Sequence, residues 1–298
     1  MSHDHSHAPA SFNRAFIIAI FLNLAFTLAQ IFYSFVANSM SLMADAMHNF
    51  GDVFGLVLAF AANWLLTLPA RKRYSYGFKK GTILAALTNA LILVGTSAII
   101  SYQAIYKFFH PTAVNEMIVI VVALVGIVIN GGTALLFMKG AHHDLNIKGA
   151  FLHLLSDAVI SFGVVASAIL IYYTHWQWVD SIVGLLIVAI ILWGTKGLLR
   201  DSVRMILDAV PHHIDQSGIL QYLQKFPGVE KVHDLHIWGL STKEIALTAH
   251  LVIPNGNLSD SDFLKINQDL KSLFRVDHAT LQVESGNAAY PCKQEEVC

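Results

Sequence analysis

Ser41-Leu42-Met43-Ala44-Asp45-Ala46-Met47-His48-Asn49-Phe50-Gly51-Asp52 opens an apolar run that continues to Leu66. About 20 apolar residues at a rise of ~1.5 Å each cross a hydrocarbon core of ~30 Å, so the run has the length of a membrane span. Its exceptions are Asp45, His48 and Asp52. Ionisable groups inside a bilayer cost several kcal/mol unless they are paired or hydrated, which makes each of them a functional candidate.

Five further runs of this kind follow from the same criterion. The six expected spans are Phe16 to Val36, Ser41 to Leu66, Thr82 to Phe108, Met117 to Met138, Phe151 to Thr174 and Val179 to Leu199. Composition agrees: 55% of the 298 residues are hydrophobic, only 13% are charged, and the mean hydropathy is +0.56. These values belong to a chain whose solvent is lipid. A net charge of -1 provides no broad basic surface, which excludes a nucleic-acid binder. The extreme N-terminus lacks the basic region that precedes a cleaved signal peptide, so the first span is read as a retained helix.

Basic residues set the orientation, because loops rich in Lys and Arg remain cytoplasmic. Arg14 precedes the first span; Arg71, Lys72, Arg73, Lys79 and Lys80 lie between the second and third; Lys139 and Lys148 flank the fourth turn; Lys196, Arg200 and Arg204 close the sixth. The alternate connections are almost free of them. Both termini are therefore expected in the cytoplasm, and Cys292 and Cys298, the two cysteines, in a reducing compartment where a structural disulfide is not expected.

Beyond Leu207 the apolar runs shorten. A helix over Ile214 to Phe226 ends at Pro227-Gly228, a strand passes through Val232, Leu235 and Ile237, and a second alternates Ile245, Leu247, Ala249, Leu251 and Ile253. Ser259, with Asp262 as an imperfect capping box, starts a helix to about Phe274, and a last strand covers Ala279 to Glu284. The order αββαβ predicts a small α+β sandwich with its helices on one face. The resulting division is a tail (1–13), a six-helix all-α membrane domain (14–207), a soluble domain (208–286) and a Cys-containing tail (287–298).

The fifth span repeats the pattern of the second, with His153 and Asp157. Residues four apart share a helix face, so His48 with Asp52 and His153 with Asp157 are two half-sites that facing helices would complete. Two imidazoles and two carboxylates suit a tetrahedral Zn²⁺ better than the all-oxygen cages of Mg²⁺ or Ca²⁺, and two ionised Asp side chains neutralise a dication. Cd²⁺ and Co²⁺ fit the same donors. Loss of the metal leaves the carboxylates without their counter-charge, and imidazole titrates near neutrality, so exchange of metal for protons follows. Asp45 has three open readings: a ligand, a carboxylate on the path to the site, or a packing hydrogen-bonder. Asn23, Asn89 and Asn130 are read as interhelical hydrogen-bonders.

These residues resemble the cation diffusion facilitators, in particular the zinc-transporting branch. The resemblance is carried by Ser41 to His48 with Asp52, Tyr74-Ser75-Tyr76-Gly77-Phe78-Lys79-Lys80, His153-Leu154-Leu155-Ser156-Asp157 and His233-Asp234-Leu235-His236-Ile237-Trp238. It implies a six-helix transporter domain, a cytoplasmic ferredoxin-like domain, a homodimer, and export of metal from the cytosol in exchange for protons, here at a bacterial inner membrane. It places the transport ligands on His48, Asp52, His153 and Asp157. It implies a cytoplasmic metal on His233, His250 and Glu284, near which Cys292 and Cys298 offer soft donors and His3, His5 and His7 could reach across a dimer. The family's His beside the last of these ligands is Gln282 here. His236 and Trp238 are expected to pack the strand, His212 and His213 to lie at a helix start on the surface, and His142-His143 to be solvated. Lys80 and Asp208 match a pair that holds the dimer in some members, and the 71–80 loop offers no ligands for the loop metal of others. The competing classes are an intramembrane zinc hydrolase, whose His-Glu-x-x-His signature is absent, and a membrane metal sensor that does not transport.

Overall fold

The computed structural model describes residues 10–138, 145–254 and 258–286. Six long helices come first: α1 (Ala10–Val36), α2 (Met40–Leu66), α3 (Gly81–Phe109), α4 (Glu116–Met138), α5 (Leu145–Thr174) and α6 (Trp178–Ile206). A helix satisfies every backbone hydrogen bond within its own segment, which is what a lipid solvent demands. Five of the six are long and apolar enough to cross a bilayer, and the portion of α1 with described side chains, Phe21–Val36, is a shorter apolar stretch. Large apolar groups such as Phe60 and Trp193 point outward, 78% and 82% exposed, as side chains facing lipid do. All six expected spans are helices. α5 starts six residues before the apolar run and α6 continues seven beyond it, because hydropathy marks the lipid-length part of a helix and not its polar extensions.

The chain divides into two compact units, one of residues 1–57 with 89–197 and the other of residues 58–88 with 198–298. In the first, α2 is positioned from both sides. At its start the buried carboxylate of Asp180, from α6, accepts hydrogen bonds from Ser39 Oγ (2.6 Å), Ser41 Oγ (2.6 Å) and Ser41 N–H (3.1 Å). An anion at a helix N-terminus is favoured by the unpaired amides and the helix dipole. Gly184 permits the approach, since a Cβ there would lie 3.0 Å from the Met40 backbone. Further along, Gly51 and Gly55 form a Gly-x-x-x-Gly face against α3, where an added Cβ would collide with Leu93 Cδ2 at the first position and sit 2.8 Å from Asn89 Nδ2 at the second.

The second unit contains α7 (Gln216–Gln224), β1 (Lys231–Gly239), β2 (Ile245–Val252), α8 (Asp260–Phe274) and β3 (His278–Glu284). The sheet order is β1-β2-β3, with β1 antiparallel and β3 parallel to the central β2. Ile245, Leu247, Ala249, Leu251 and Ile253 pack with Ile219 and Leu223 of α7 and Ile266 and Leu270 of α8, the alternation expected of a half-covered sheet. The αββαβ order and the helix-covered face agree with the ferredoxin-like architecture. One irregularity interrupts β1: the register slips between His233 and His236, and Asp234 adopts a left-handed φ of 52°. Val232 and Ile237 are five residues apart and would otherwise occupy opposite faces; the extra residue turns both into the core. His233, paired with His250, is left on the face opposite α7 and α8.

The 67–80 loop packs in this second unit. Lys79 forms an ion pair with Glu244, the Thr242 N–H donates to Thr82 Oγ1 at 3.0 Å, and Tyr76 meets His278 edge to face. At α8 the capping box is complete: Ser259 N–H and Oγ donate to Asp262 Oδ2 at 3.0 and 2.6 Å, and Asp262 N–H donates to Ser259 Oγ at 3.2 Å.

These contacts set the response to two perturbations. Gly51→Val should destabilise the protein by about 1–3 kcal/mol through overpacking against Leu93, read as a lower melting midpoint in detergent. The hydroxyl of Ser259, then its backbone N–H, hold the Asp262 carboxyl below its ordinary value of 3.8. A depressed carboxyl contributes stability above its unfolded pKa and loses it as pH falls through the folded one, so the protection of amides at the start of α8, taken relative to the intrinsic exchange rate at each pH, should fall below about pH 4. Ser259→Ala, which keeps the backbone N–H donor, should shrink that pH dependence without abolishing it.

Candidate metal centre

The second and fifth helices present their ionisable residues to one another. α2 and α5 run antiparallel, and the pairs form rungs. Asp52 Oδ2 lies 3.4 Å from His153 Nε2, and His48 Nε2 lies 3.3 Å from Asp157 Oδ1. Within each helix, His48 Nδ1 is 3.8 Å from Asp52 Oδ2 and His153 Nε2 is 3.8 Å from Asp157 Oδ2. Donor atoms of His48, Asp52 and Asp157 all fall within 4.8 Å of one another, and the His153 ring stands 6.2 Å from that of His48 at 78°.

The contacts are close without being hydrogen bonds. Asp52 Oδ2 and Asp157 Oδ1 are buried and have no hydrogen-bond partner among the described residues, although an imidazole nitrogen approaches each. Buried carboxylate oxygens are costly in that condition. Exposure is graded along the rungs: His153 and Asp52 are 47% and 29% exposed, His48 and Asp157 17% and 5%. The first rung is therefore the accessible end.

A third polar pair extends the series. Asp45, fully buried, accepts from Ser161 Oγ of α5 at 2.9 Å and from Gln30 Nε2 of α1 at 2.7 Å, while Asn49 Nδ2 donates to Gln30 Oε1 at 3.0 Å. Gln30, Asn49 and Ser161 carry no sequence signal of their own, since single polar residues on membrane helices are common. Asn89 and Asn130 do not behave uniformly as interhelical hydrogen-bonders: Asn89 Oδ1 and Asn130 Nδ2 lack partners among the described residues.

In the soluble domain, His233, His250 and Glu284 converge. His233 Nε2 is 3.2 Å from Glu284 Oε2 and His250 Nδ1 is 2.8 Å from Glu284 Oε1, with the two rings 5.1 Å apart. The bulge adds Asp234, which the sequence did not single out as a site residue. Its carboxylate lies 3.3 Å from the other nitrogen of His250 and accepts from or shares a proton with His236 Nε2 at 2.9 Å. A carboxylate on the far nitrogen can fix the tautomer in which Nδ1, on the Glu284 side, has its lone pair available as a metal donor. His236 is half-exposed on this hydrogen bond and does not pack the strand as expected. Cys292, Cys298, His3, His5, His7, His142 and His143 lie outside the described residues. Lys80 and Asp208 meet within the one chain at 2.8 and 3.1 Å; so exposed a pair is worth under about 1 kcal/mol.

The family model of the cation efflux transmembrane domain matches residues 16–207, and that of the cation efflux protein cytoplasmic domain matches residues 211–286. The chain belongs to the cation efflux family, the cation diffusion facilitators that its motifs resemble, and is a membrane transporter that exports metal cations. It is 34% identical to the metal cation efflux system protein CzcD of Cupriavidus metallidurans, over 99% of this chain and 92% of that one. It is 30% identical to the zinc transporter ZitB of Escherichia coli, over 95% and 91% of the two chains. A cadmium, cobalt and zinc/H(+)-K(+) antiporter of Bacillus velezensis is also 30% identical, over 96% and 92%.

Proposed function

We propose that the chain exports Zn²⁺ from the cytosol in exchange for protons by alternating access, with Cd²⁺ and Co²⁺ as further cargoes. The metal is held by His48, Asp52, His153 and Asp157, and both termini lie in the cytoplasm at a bacterial inner membrane. One observation carries this reading. The two cross-helix separations, 3.4 and 3.3 Å, equal the spacing of about 3.3 Å between neighbouring donors of a tetrahedral Zn²⁺ with ~2.05 Å bonds. Two carboxylates neutralise the dication, and each Asp–His rung can share a proton in its place. With the basic loops inside, the exposed first rung faces the cytosol and the buried end faces outward, the arrangement of a site ready to load. Four protein donors leave no open position for a hydrolytic water, which argues against the hydrolase.

In the soluble domain, His233, His250 and Glu284 would hold a regulatory Zn²⁺ in a homodimer. They supply three donors of suitable chemistry, with a fourth position for Cys292, Cys298 or water. Asp234 supports them by orienting His250. The regulatory metal would stabilise the dimer when cytosolic zinc is abundant, by mass action.

Two measurements test these roles. Purified protein in liposomes with an imposed pH gradient should accumulate Zn²⁺ against its concentration gradient, and Asp157→Ala should reduce the flux to background while keeping its melting midpoint. Normal flux in that variant would refute the transport site, and zinc bound without any flux in the unaltered protein would assign it as a sensor. Asp234→Asn should weaken the regulatory zinc roughly 10- to 100-fold, measured by competition with a chelating dye, and leave the transport KM unchanged.

A further inference from the structure

Asp45 is a buried carboxylate that the transport chemistry does not use. It lies one turn from His48 on α2, in the second turn of that membrane helix, and is fully buried. Its Oδ2 accepts two hydrogen bonds and its Oδ1 has no partner among the described residues. An incompletely satisfied carboxylate is expensive at such a position, so its presence there calls for a role.

The contacts identify that role. Positions 52, 48 and 45 of α2 meet positions 153, 157 and 161 of α5, so the Asp45–Ser161 bond continues the rung series of the metal site. Over this length the two helices rise about 10 Å together. The third rung differs from the others in being a true hydrogen bond, and it is tied to a third helix through Gln30 of α1. Asn49, next in sequence to His48, donates to Gln30 Oε1 and thereby presents the Gln30 amide N–H₂ to Asp45. Gly126 of α4 leaves space for this arrangement: a Cβ there would stand 3.3 Å from Ser161 Oγ and 2.9 Å from the Phe26 ring. Exposure falls from the first rung through the second to none at Asp45. The closed end is thus the end at which α2 and α5 are fastened.

We propose that Asp45 is the positioning residue of the transport site: gripped by Gln30 and Ser161, its carboxylate holds α2 against α5 in the register that sets His48 on Asp157 and Asp52 on His153. The inference rests on the reading of those four residues as the transport ligands. Asp45 does not touch the metal. Its lever is the distance between the two half-sites, and a cage of four ligands on separate helices depends on that distance.

The test is Zn²⁺ transport by the full chain in liposomes, with KM and kcat measured separately. Asp45→Ala should raise KM roughly tenfold with kcat changed less than about threefold, because the half-sites lose their register before a metal is bound. Asp45→Asn should restore KM to within about threefold, since its amide oxygen accepts from the same two donors. If Asp45→Asn performs as poorly as Asp45→Ala, the charge and not the grip matters, and the proposal fails. A lowered melting midpoint with unchanged KM would reduce Asp45 to a fold-stabilising residue and would also overturn it. Should Asp45→Ala not fold, Ser161→Ala decides: it removes only the α5 contact, and must raise KM about threefold rather than leave it unchanged. Asp157→Ala separates the two readings. Normal transport there defeats the site assignment, whereas silent Asp157→Ala beside unaltered Asp45→Ala and Ser161→Ala defeats the positioning role alone.

Discussion

A charge inside a bilayer must find a partner, and in this chain the partners are on another helix. α2 alone carries three ionisable groups within eight positions, Asp45, His48 and Asp52, on one face that must be turned away from lipid. Docking against α5 resolves this, because α5 offers His153, Asp157 and Ser161 in antiparallel register. The surrounding contacts secure that docking from outside the site. Asp180 fastens the start of α2 to α6, the glycines at 51 and 55 let α3 approach closely, and Gln30 adds α1. With little hydrophobic force between helices in lipid, such close packing and polar contacts are what hold them together.

The soluble domain solves a different problem. Its sheet is covered on one face by α7 and α8, and the alternation of β2 directs its aliphatic residues there. The opposite face is available to carry donors, and the bulge at Asp234 decides which residues those are. Without the extra residue, either Val232 or Ile237 would leave the core; with it, both stay inside while His233 pairs with His250. The same left-handed residue turns its carboxylate onto the far nitrogen of His250. Core packing and donor placement therefore depend on a single backbone irregularity.

Much of this is legible from the chain. Lengths of apolar sequence give the six helices with ends up to seven residues off, and an interval of four gives the two His/Asp pairs, because helix periodicity converts spacing directly into a shared face. Strand alternation likewise gives β2 and its core face. The Gly51-x-x-x-Gly55 spacing is also a packing signal, less conspicuous than the Asp52 it encloses. Asp234 lies within a quoted motif but has no distinguishing spacing, since a bulge depends on the partner strand. Gln30, Asn49 and Ser161 are invisible for a similar reason: each is an ordinary polar residue until the helix facing it is known.

By itself, the sequence determined the lipid solvent, the helical spans, the αββαβ order and the residue types able to bind a dication. These are local properties, set by composition and by periods of 3.6 and 2 residues. Only the tertiary structure decided which half-site meets which, that the rungs lie 3.3 and 3.4 Å apart, and that Asp45 extends them through two neighbouring helices. Those facts depend on the rotation and offset of whole helices, which many separate contacts fix together and no single stretch of chain encodes.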